Sequence, residues 1–170
     1  MKANYLIQLI KSRRSVRKFK NQKVSKKTVE DLLESGRWAP SGLNNQPWRF
    51  MVKDSGEKDQ LAEYTKFSQI IKEANKLILV FLDKRSLYSR PKDLMAIGAC
   101  IQNILLYAHS LGLGSCWLGE ILNQSQEIQA KLQTPPELEF LAAIAIGVPE
   151  EEVGPKDRKP LQDLIEGVRS

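Results

Sequence analysis

The sequence predicts a protein in which strands alternate with helices, with about four strands forming one sheet that helices cover. Residues 77–82 are a continuous apolar run, which is typical of a strand covered on both faces, and residues 138–148 form another apolar strand. Residues 94–111 are apolar around most of a helical circumference, so this helix is expected to be central and largely buried. The pattern alone does not distinguish a parallel sheet from a mixed one.

The composition favours one domain over residues 1–170. Apolar residues make up 42% of the chain and charged residues 27%, which supplies a core and argues against overall disorder. No apolar segment reaches the ~18 residues of a membrane span. Cys100 and Cys116 lie in apolar surroundings without metal-binding spacing, and one histidine, His109, cannot build a metal site. We therefore expect a cytoplasmic protein with buried free thiols and a hydrogen-bonded or half-exposed histidine.

Capping residues and periodicity predict the elements of the first half of the chain. Asn4 is expected to cap a first helix, and Ser25 a second helix that ends near Gly36. Alternation predicts a strand over residues 48–53, and residues 54–75 are polar with a helical pattern. The apolar residues that share one face in these two helices are Tyr5, Leu6, Leu9, Ile10, Val29, Leu32 and Leu33.

The second half is predicted in the same way. Asp93 is expected to cap the central helix, which leads through residues 112–119 into another strand. Asn123 caps a short helix that precedes the strand over residues 138–148. After a basic arm, Pro160 opens a last small helix that extends to Val168.

Residues 39–48 are expected to form a wall of a binding site or, alternatively, a well-made turn before an edge strand. The segment holds two prolines, one glycine, two asparagines and one glutamine, and it follows Trp38. Because proline restricts φ and amide side chains supply donors and acceptors, such a loop can hold a rigid shape and still present hydrogen bonds.

Positive charge is concentrated in two short clusters near opposite ends of the chain, residues 13–18 and 156–159. The net charge of +6 is compatible with nucleic acid, an anionic membrane surface or a phosphorylated ligand. Two short clusters suit one compact anion better than a long polyanion. Arginine forks and serine hydroxyls in the first cluster would clamp a phosphate, whereas the alternative is a solvated helix end. A basic nucleic-acid-binding module is the weakest reading because the clusters lack aromatic stacking platforms.

The glycines after the central helix do not form a dinucleotide-binding fingerprint. Gly112 and Gly114 follow a helix and precede a strand, which is the opposite of the order in that fingerprint. Gly119, at the end of the strand, could instead let a backbone amide approach a planar ligand.

Four motifs, in order, resemble the FMN-dependent nitroreductase family. Residues 13–19 (Arg-Arg-Ser-Val-Arg-Lys-Phe) are similar to the family's Arg-x-Ser-x-(Arg/Lys)-x-Phe segment, and residues 40–48 to its Pro-Ser-x-x-Asn-x-Gln-Pro-Trp signature. The long helix into residues 112–119 and the arm over residues 156–161 also match in order and spacing. The resemblance covers nearly the whole chain.

This resemblance implies an α+β sandwich, with a mixed sheet flanked by helices, and a homodimer that exchanges its C-terminal arms and binds FMN at the subunit interface. NADH or NADPH would donate a hydride, and a nitroaromatic, quinone or similar small acceptor would receive the electrons. No side chain would be catalytic in itself, although Arg17 would tune the N1–C2=O edge of the flavin. The FMN-binding positions implied are Arg13, Arg14, Ser15 and Arg17 of one subunit, Lys156, Arg158 and Lys159 at the phosphate, Pro40, Ser41, Gly42 and Asn44 of the other subunit, and Leu118 and Gly119 near the ring.

The family also contains relatives that dehalogenate substrates or fragment the flavin, and these are the alternative to a reductase. Such branches carry additional lid residues, whereas residues 54–75 and 83–92 are short here. Gly42 and Leu43 stand where hydroxyl residues are frequent in the family. These departures leave the acceptor, and the choice between NADH and NADPH, open.

Overall fold

The computed structural model describes residues 2–166, in which five strands form one sheet. The strands are β1 (Phe19–Lys20), β2 (Trp48–Lys53), β3 (Lys76–Asp83), β4 (Gly114–Leu118) and β5 (Leu138–Pro149). β5 is the central strand, because it pairs with β3, β4 and β1, and β3 pairs in turn with β2. β4, which pairs with β5, therefore lies at an edge of the sheet, and the candidate site is built along this strand.

Helices cover both faces of this sheet. They are α1 (Lys2–Ser12), α2 (Lys26–Arg37), α3 (Ser68–Glu73), α4 (Arg90–Ser110) and α5 (Ser125–Leu132). α2 and α4 pack on one face with Ile78, Val80 and Leu82 of β3. α3 and α5 pack on the other face with the alternate β3 residues, such as Leu77 and Leu79. The predicted α+β sandwich and its doubly covered central strands are confirmed.

The sheet itself differs from the expected mixed sheet of about four strands. It has five strands, and each of its strand pairs is antiparallel. Within the described residues the one parallel contact is an isolated bridge between Ser15 and Ser115. A strand buried on both faces is apolar throughout whatever the direction of its neighbours, and β1 is too short to show a period of two residues.

Three predicted helix caps are wrong by a few residues. α1 begins at Lys2, so Asn4 lies inside it, and α5 begins at Ser125, after a 3₁₀ turn (Glu120–Gln124) that contains Asn123. α4 begins at Arg90, with Pro91 in its first turn. Asp93 therefore lies inside α4, although its carboxylate still accepts the backbone N–H of Ser89 at 3.0 Å. The predicted cap at Ser25 is confirmed, because its hydroxyl accepts the Thr28 N–H at 3.0 Å.

Within the described residues, the C-terminal arm has a 3₁₀ turn (Leu161–Leu164) where the sequence predicts a helix. Val168, which the sequence pattern assigns to that helix, lies outside the described residues. The leucines of this turn are largely exposed, at 65% for Leu161 and 62% for Leu164. Within a single chain, these apolar side chains therefore do not pack into the hydrophobic core.

Both cysteines are free and buried, as predicted. Burial raises the pKa of the Cys100 thiol to about 12 and also raises the pKa of Cys116, so neither thiol is ionised at neutral pH. No group of residues in the described ranges could hold a metal ion through His, Cys, Asp or Glu side chains. Residues 2–166 also contain no helix that is both long enough and apolar enough to span a membrane.

Candidate functional site

The arginine segment, residues 13–17, lies along the beginning of β4. The backbone N–H of Val16 donates to the Ser115 carbonyl at 3.0 Å. A Cβ atom on Gly114 would lie 2.7 Å from Cγ1 of Val16, so the close approach of the two segments requires glycine at this position. These contacts fix the segment at the edge of the sheet.

The preceding turn is held against the end of α4. The hydroxyl of Ser12 and Nε2 of His109 are 2.7 Å apart. His109 is half-buried and hydrogen-bonded, as predicted. Its pKa is lowered by burial first and then by the positive charges of Arg13 and Arg14, so the imidazole is neutral at pH 7.

The C-terminal arm reaches the arginine segment. Nε of Arg14 donates to the carbonyl of Gly154 at 3.2 Å, across 140 residues of sequence. The pKa of Arg13 is lowered by burial and then by the positive charges of Arg158 and Arg14. The two basic clusters, which are far apart in sequence, therefore meet at the beginning of β4.

Six cations of these two clusters form no ion pair with a carboxylate within the part of the chain that the structure describes. Lys18, the last residue of the first cluster, is the exception, because its Nζ is 3.4 Å from Glu151. A half-buried arginine among like charges is electrostatically unfavourable, and a bound dianion would remove the repulsion. The six cluster cations without such an ion pair are Arg13, Arg14, Arg17, Lys156, Arg158 and Lys159.

β4 connects this cluster to an open glycine. A Cβ atom on Gly119 would have no heavy atom within 4 Å, and its φ and ψ of −79° and −29° suit any residue. Ser115 and Gly119 are about 13 Å apart along an extended chain, which is comparable to the span from a nucleotide phosphate to its base. Leu118 is 3% exposed and packs in the core, so it can offer a ligand its backbone only.

The loop of residues 40–46 lies elsewhere, beside the first turns of α4. The amide nitrogen of Asn45 donates to Asp93 and to the Ser86 carbonyl, both at 2.8 Å. The Ser41 hydroxyl accepts the backbone N–H of Gln46 at 3.1 Å. Pro40 and Asn44 are exposed, and Ser41 and Gly42 are half-buried. The hydrogen bond between Asn45 and Asp93 joins residues 48 positions apart, and no periodicity or capping pattern signals such a contact.

α4 separates this loop from the end of β4. The loop borders a cavity of about 280 Å³ that α4 lines with Lys92, Met95, Ala96 and Ala99. A second cavity, of about 410 Å³ beside Trp117 and Leu122, is lined on α4 by Leu94, Ile97, Gly98 and Ile101. With 3.6 residues per turn, these two sets lie on opposite sides of the helix. One chain therefore brings together the arginine segment, the arm and β4, but not the loop.

Comparison with known proteins assigns the family. The model of the nitroreductase family matches residues 10–74 and 55–148, which is most of the chain. The protein belongs to the nitroreductase family. It is thus an oxidoreductase by family, as the motifs predict.

The nitroreductase-family relatives extend over nearly the whole chain. A provisionally named nitroreductase of Desulfovibrio desulfuricans, crystallised in complex with FMN, is 44% identical, with a TM-score of 0.93 and 97% of each chain covered. A protein of Archaeoglobus fulgidus, provisionally named NADH dehydrogenase/NAD(P)H nitroreductase, is 31% identical over 150 residues, or 86% of each chain. The iodotyrosine deiodinase of Thermotoga neapolitana is also 31% identical, over 94% of this chain and 95% of that protein.

Proposed function

We propose that this protein is an NAD(P)H-dependent FMN oxidoreductase that reduces a nitroaromatic, a quinone or a similar small acceptor. The observation that carries the proposal is the convergence of two basic clusters, whose arginines form no ion pair with a carboxylate in the described residues, on an edge strand that ends at an open glycine. Bound FMN would accept a hydride from NADH or NADPH and pass the electrons to the acceptor. The FMN complex of the Desulfovibrio desulfuricans relative supports this cofactor.

The cationic cluster would hold the FMN phosphate. Arg13 and Arg158 offer guanidinium forks to phosphate oxygens, and Ser15 adds a hydroxyl. Arg14, Lys156 and Lys159 add positive charge. Arg17 is exposed and lies close enough to Cys116 to lower its pKa against the larger effect of burial, so it stands beside the middle of β4. From there Arg17 would stabilise negative charge at the N1–C2=O edge of the flavin, while Gly119 lets the ring approach the backbone.

A second copy of the chain would complete the site. Because α4 stands between the loop of residues 40–46 and Gly119, one chain cannot put both against a single flavin. Pro40, Ser41, Gly42 and Asn44 would therefore act in the site of the other subunit. Apolar side chains that a dimer could cover are exposed on α1, α4 and the arm, namely Tyr5, Leu6, Ile10, Met95, Leu161 and Leu164.

Absorption spectroscopy of the purified protein tests the proposed function. We expect a bound flavin whose visible band bleaches when NADH or NADPH is added without oxygen, and the more effective donor would identify the coenzyme preference. No flavin, even after incubation with FMN, would contradict the proposal. A flavin that neither coenzyme bleaches would retain the cofactor and reject the NAD(P)H oxidoreductase.

Reductive dehalogenation is the second candidate, and the similarity to the Thermotoga neapolitana deiodinase favours it. The reaction would replace iodine by hydrogen on an iodotyrosine, with two electrons from the reduced flavin and a proton, and would release iodide. Iodide release from 3-iodotyrosine by the dithionite-reduced protein, together with a flavin that NADH and NADPH do not bleach, would favour this candidate over the reductase.

A heterodimer tests whether each site uses both chains. One chain would carry Arg13→Ala and Arg158→Ala, and the other, with a different affinity tag, Ser41→Ala and Asn44→Ala. In a shared-site dimer, one site receives every substitution and the other receives none, so we expect one tightly bound FMN per heterodimer. Sites built from single chains would both be damaged, and the heterodimer would then bind no FMN tightly.

A further inference from the structure

The loop of residues 40–46 has a strained backbone, and the packing of its exposed side chains does not stabilise that conformation. Leu43, Asn44 and Gln46 have φ values of 55°, 55° and 46°, in the left-handed region that residues other than glycine rarely adopt. Leucine is particularly unfavourable there, and Leu43 is 81% exposed, so packing does not compensate. Such a conformation persists only where the surrounding structure determines it.

Asn45 connects this strained loop to a buried carboxylate. Its amide nitrogen donates to Oδ1 of Asp93 and to the Ser86 carbonyl, both at 2.8 Å. Because both facing groups are acceptors, the amide cannot flip without losing both hydrogen bonds. Its own Oδ1 is buried without a partner, which is the cost of this orientation.

Asp93 holds a second segment with its other oxygen. Oδ2 accepts the backbone N–H groups of Tyr88 at 2.9 Å and Ser89 at 3.0 Å. Asp93 is fully buried. Burial by itself would raise the pKa of Asp93, but the hydrogen bonds from Asn45 and from the Ser89 and Tyr88 backbone outweigh it and lower the pKa. The carboxylate therefore remains ionised at neutral pH.

Tyr88 completes the connection, because its ring packs on the backbone of Gly42. A Cβ atom at Gly42 would lie 2.6 Å from Cδ1 and 2.9 Å from Cε1 of that ring. The ammonium group of Lys92 lies over the same Tyr88 ring, with Nζ 4.9 Å from the ring centroid. The loop is thus held at Asn45 and at Gly42, and both attachments lead to Asp93.

We propose that Asp93 is a positioning residue, which acts through Asn45 and residues 86–89 to hold the strained loop in the shape that contacts the cofactor. This inference rests on the proposed function, because it takes residues 40–44 as part of an FMN site. Asp93 does not touch the ligand in this arrangement. Its effect is on the backbone that presents Ser41 and Asn44.

Asn45→Ala removes the connection and leaves the Asp93 hydrogen bonds to Tyr88 and Ser89 in place. We expect faster amide hydrogen exchange in residues 41–46 of the FMN-free protein, because the strained conformation is then populated less. We also expect the FMN Kd to rise about tenfold, which corresponds to about 1.4 kcal/mol. The same variant should alter the visible flavin circular dichroism, which a purely structural loss of stability would not change.

Asn103→Ala is the matched control. Its amide nitrogen also joins α4 to a backbone carbonyl, that of Ser35 at 3.2 Å, but at a point about 15 Å along α4 from Asp93. We expect it to leave the FMN Kd and exchange in residues 41–46 unchanged. Asp93→Asn and Asn45→Asp, singly and together, complete a double-mutant cycle, and the double variant should bind FMN better than Asn45→Asp alone, because the single variant opposes two carboxylates.

Three outcomes are decisive. If the wild-type protein binds FMN and Asn45→Ala binds it with the same Kd, this inference is overturned and the proposed function remains intact. Additive effects of the two substitutions in the double-mutant cycle would also overturn it, because the residues would then act separately. Wild-type protein that binds no FMN would overturn the proposed function and this inference together.

Discussion

Replacing Arg13 and Arg158 with alanine is expected to release FMN from the protein without unfolding it. Arg13 is half-buried, and its pKa is lowered by burial and by the charges of Arg158 and Arg14. In the FMN-free protein these cations repel one another, so removing one relieves repulsion. In the complex each would make charge-assisted hydrogen bonds to the phosphate, and removing one loses a strong contact.

The expected size follows from the energy of such bonds. A hydrogen bond to a charged group contributes about 1.5–3 kcal/mol, so each single substitution should raise the FMN Kd about 10- to 100-fold. The FMN Kd of the double variant should exceed that of either single variant, although not by the full product, because both arginines would bind one phosphate. Fluorescence titration of FMN into the FMN-free protein measures these Kd values. The Tm of FMN-free Arg158→Ala should stay within about 2 °C of the wild type, because its side chain is exposed.

Lys18→Ala is the control for a change in net charge alone. Lys18 is exposed at the end of the first cluster, next to Arg17 in sequence, and it is paired with Glu151 at 3.4 Å. We expect less than about a twofold change in the FMN Kd for this variant. If Lys18→Ala and Arg158→Ala weaken FMN binding equally, the arm contributes only long-range charge and does not contact the phosphate.

The fold was predictable where one segment carries its own signal. The apolar runs of β3 and β5, the buried circumference of α4 and the cap at Ser25 are local patterns, and the structure confirms them. Strand direction is not local, because a doubly covered strand is apolar beside either kind of neighbour. The start of α4 was misplaced for a related reason. Asp93 resembles an N-cap in sequence, yet it reaches back to accept the Ser89 N–H from inside the helix.

In the candidate site, too, the features that could be predicted are local in sequence and the others are not. The motifs at residues 13–19 and 40–48 could be recognised because each is a short run of consecutive residues. The hydrogen bond that connects Asn45 to Asp93 could not, because it depends on where α4 begins and on the path of residues 84–89. The unusual glycine at position 42 becomes explicable only in three dimensions. A larger residue there would collide with the Tyr88 ring, which the short segment before α4 brings onto the loop.

Gly119→Val is expected to abolish tight FMN binding while leaving the FMN-free protein folded. The backbone at Gly119 has φ −79° and ψ −29°, which valine can adopt, and no heavy atom lies within 4 Å of an added Cβ. The substitution should therefore change the Tm of the FMN-free protein by less than about 2 °C. A flavin ring against this backbone would meet the valine methyl groups. Overpacking of this kind costs about 1–3 kcal/mol, so we expect the FMN Kd to rise about 10- to 100-fold, with a smaller rise for Gly119→Ala.

Asn123→Val separates this effect from that of adding an apolar side chain nearby. Asn123 is exposed in the 3₁₀ turn that follows Gly119. We expect the Asn123→Val protein to bind FMN with the Kd of the wild type. Size-exclusion chromatography of Gly119→Val is needed as well, because a bulky residue near the boundary of the proposed dimer would weaken that dimer and lower FMN affinity indirectly. A dimeric Gly119→Val protein with unchanged FMN affinity would mean that the ring does not lie against this glycine. In that case the proposal that the cationic cluster binds the phosphate would be unaffected, since Arg13 and Arg158 lie close together whatever residue occupies position 119. The flavin ring would then have to extend from the phosphate in a direction away from β4.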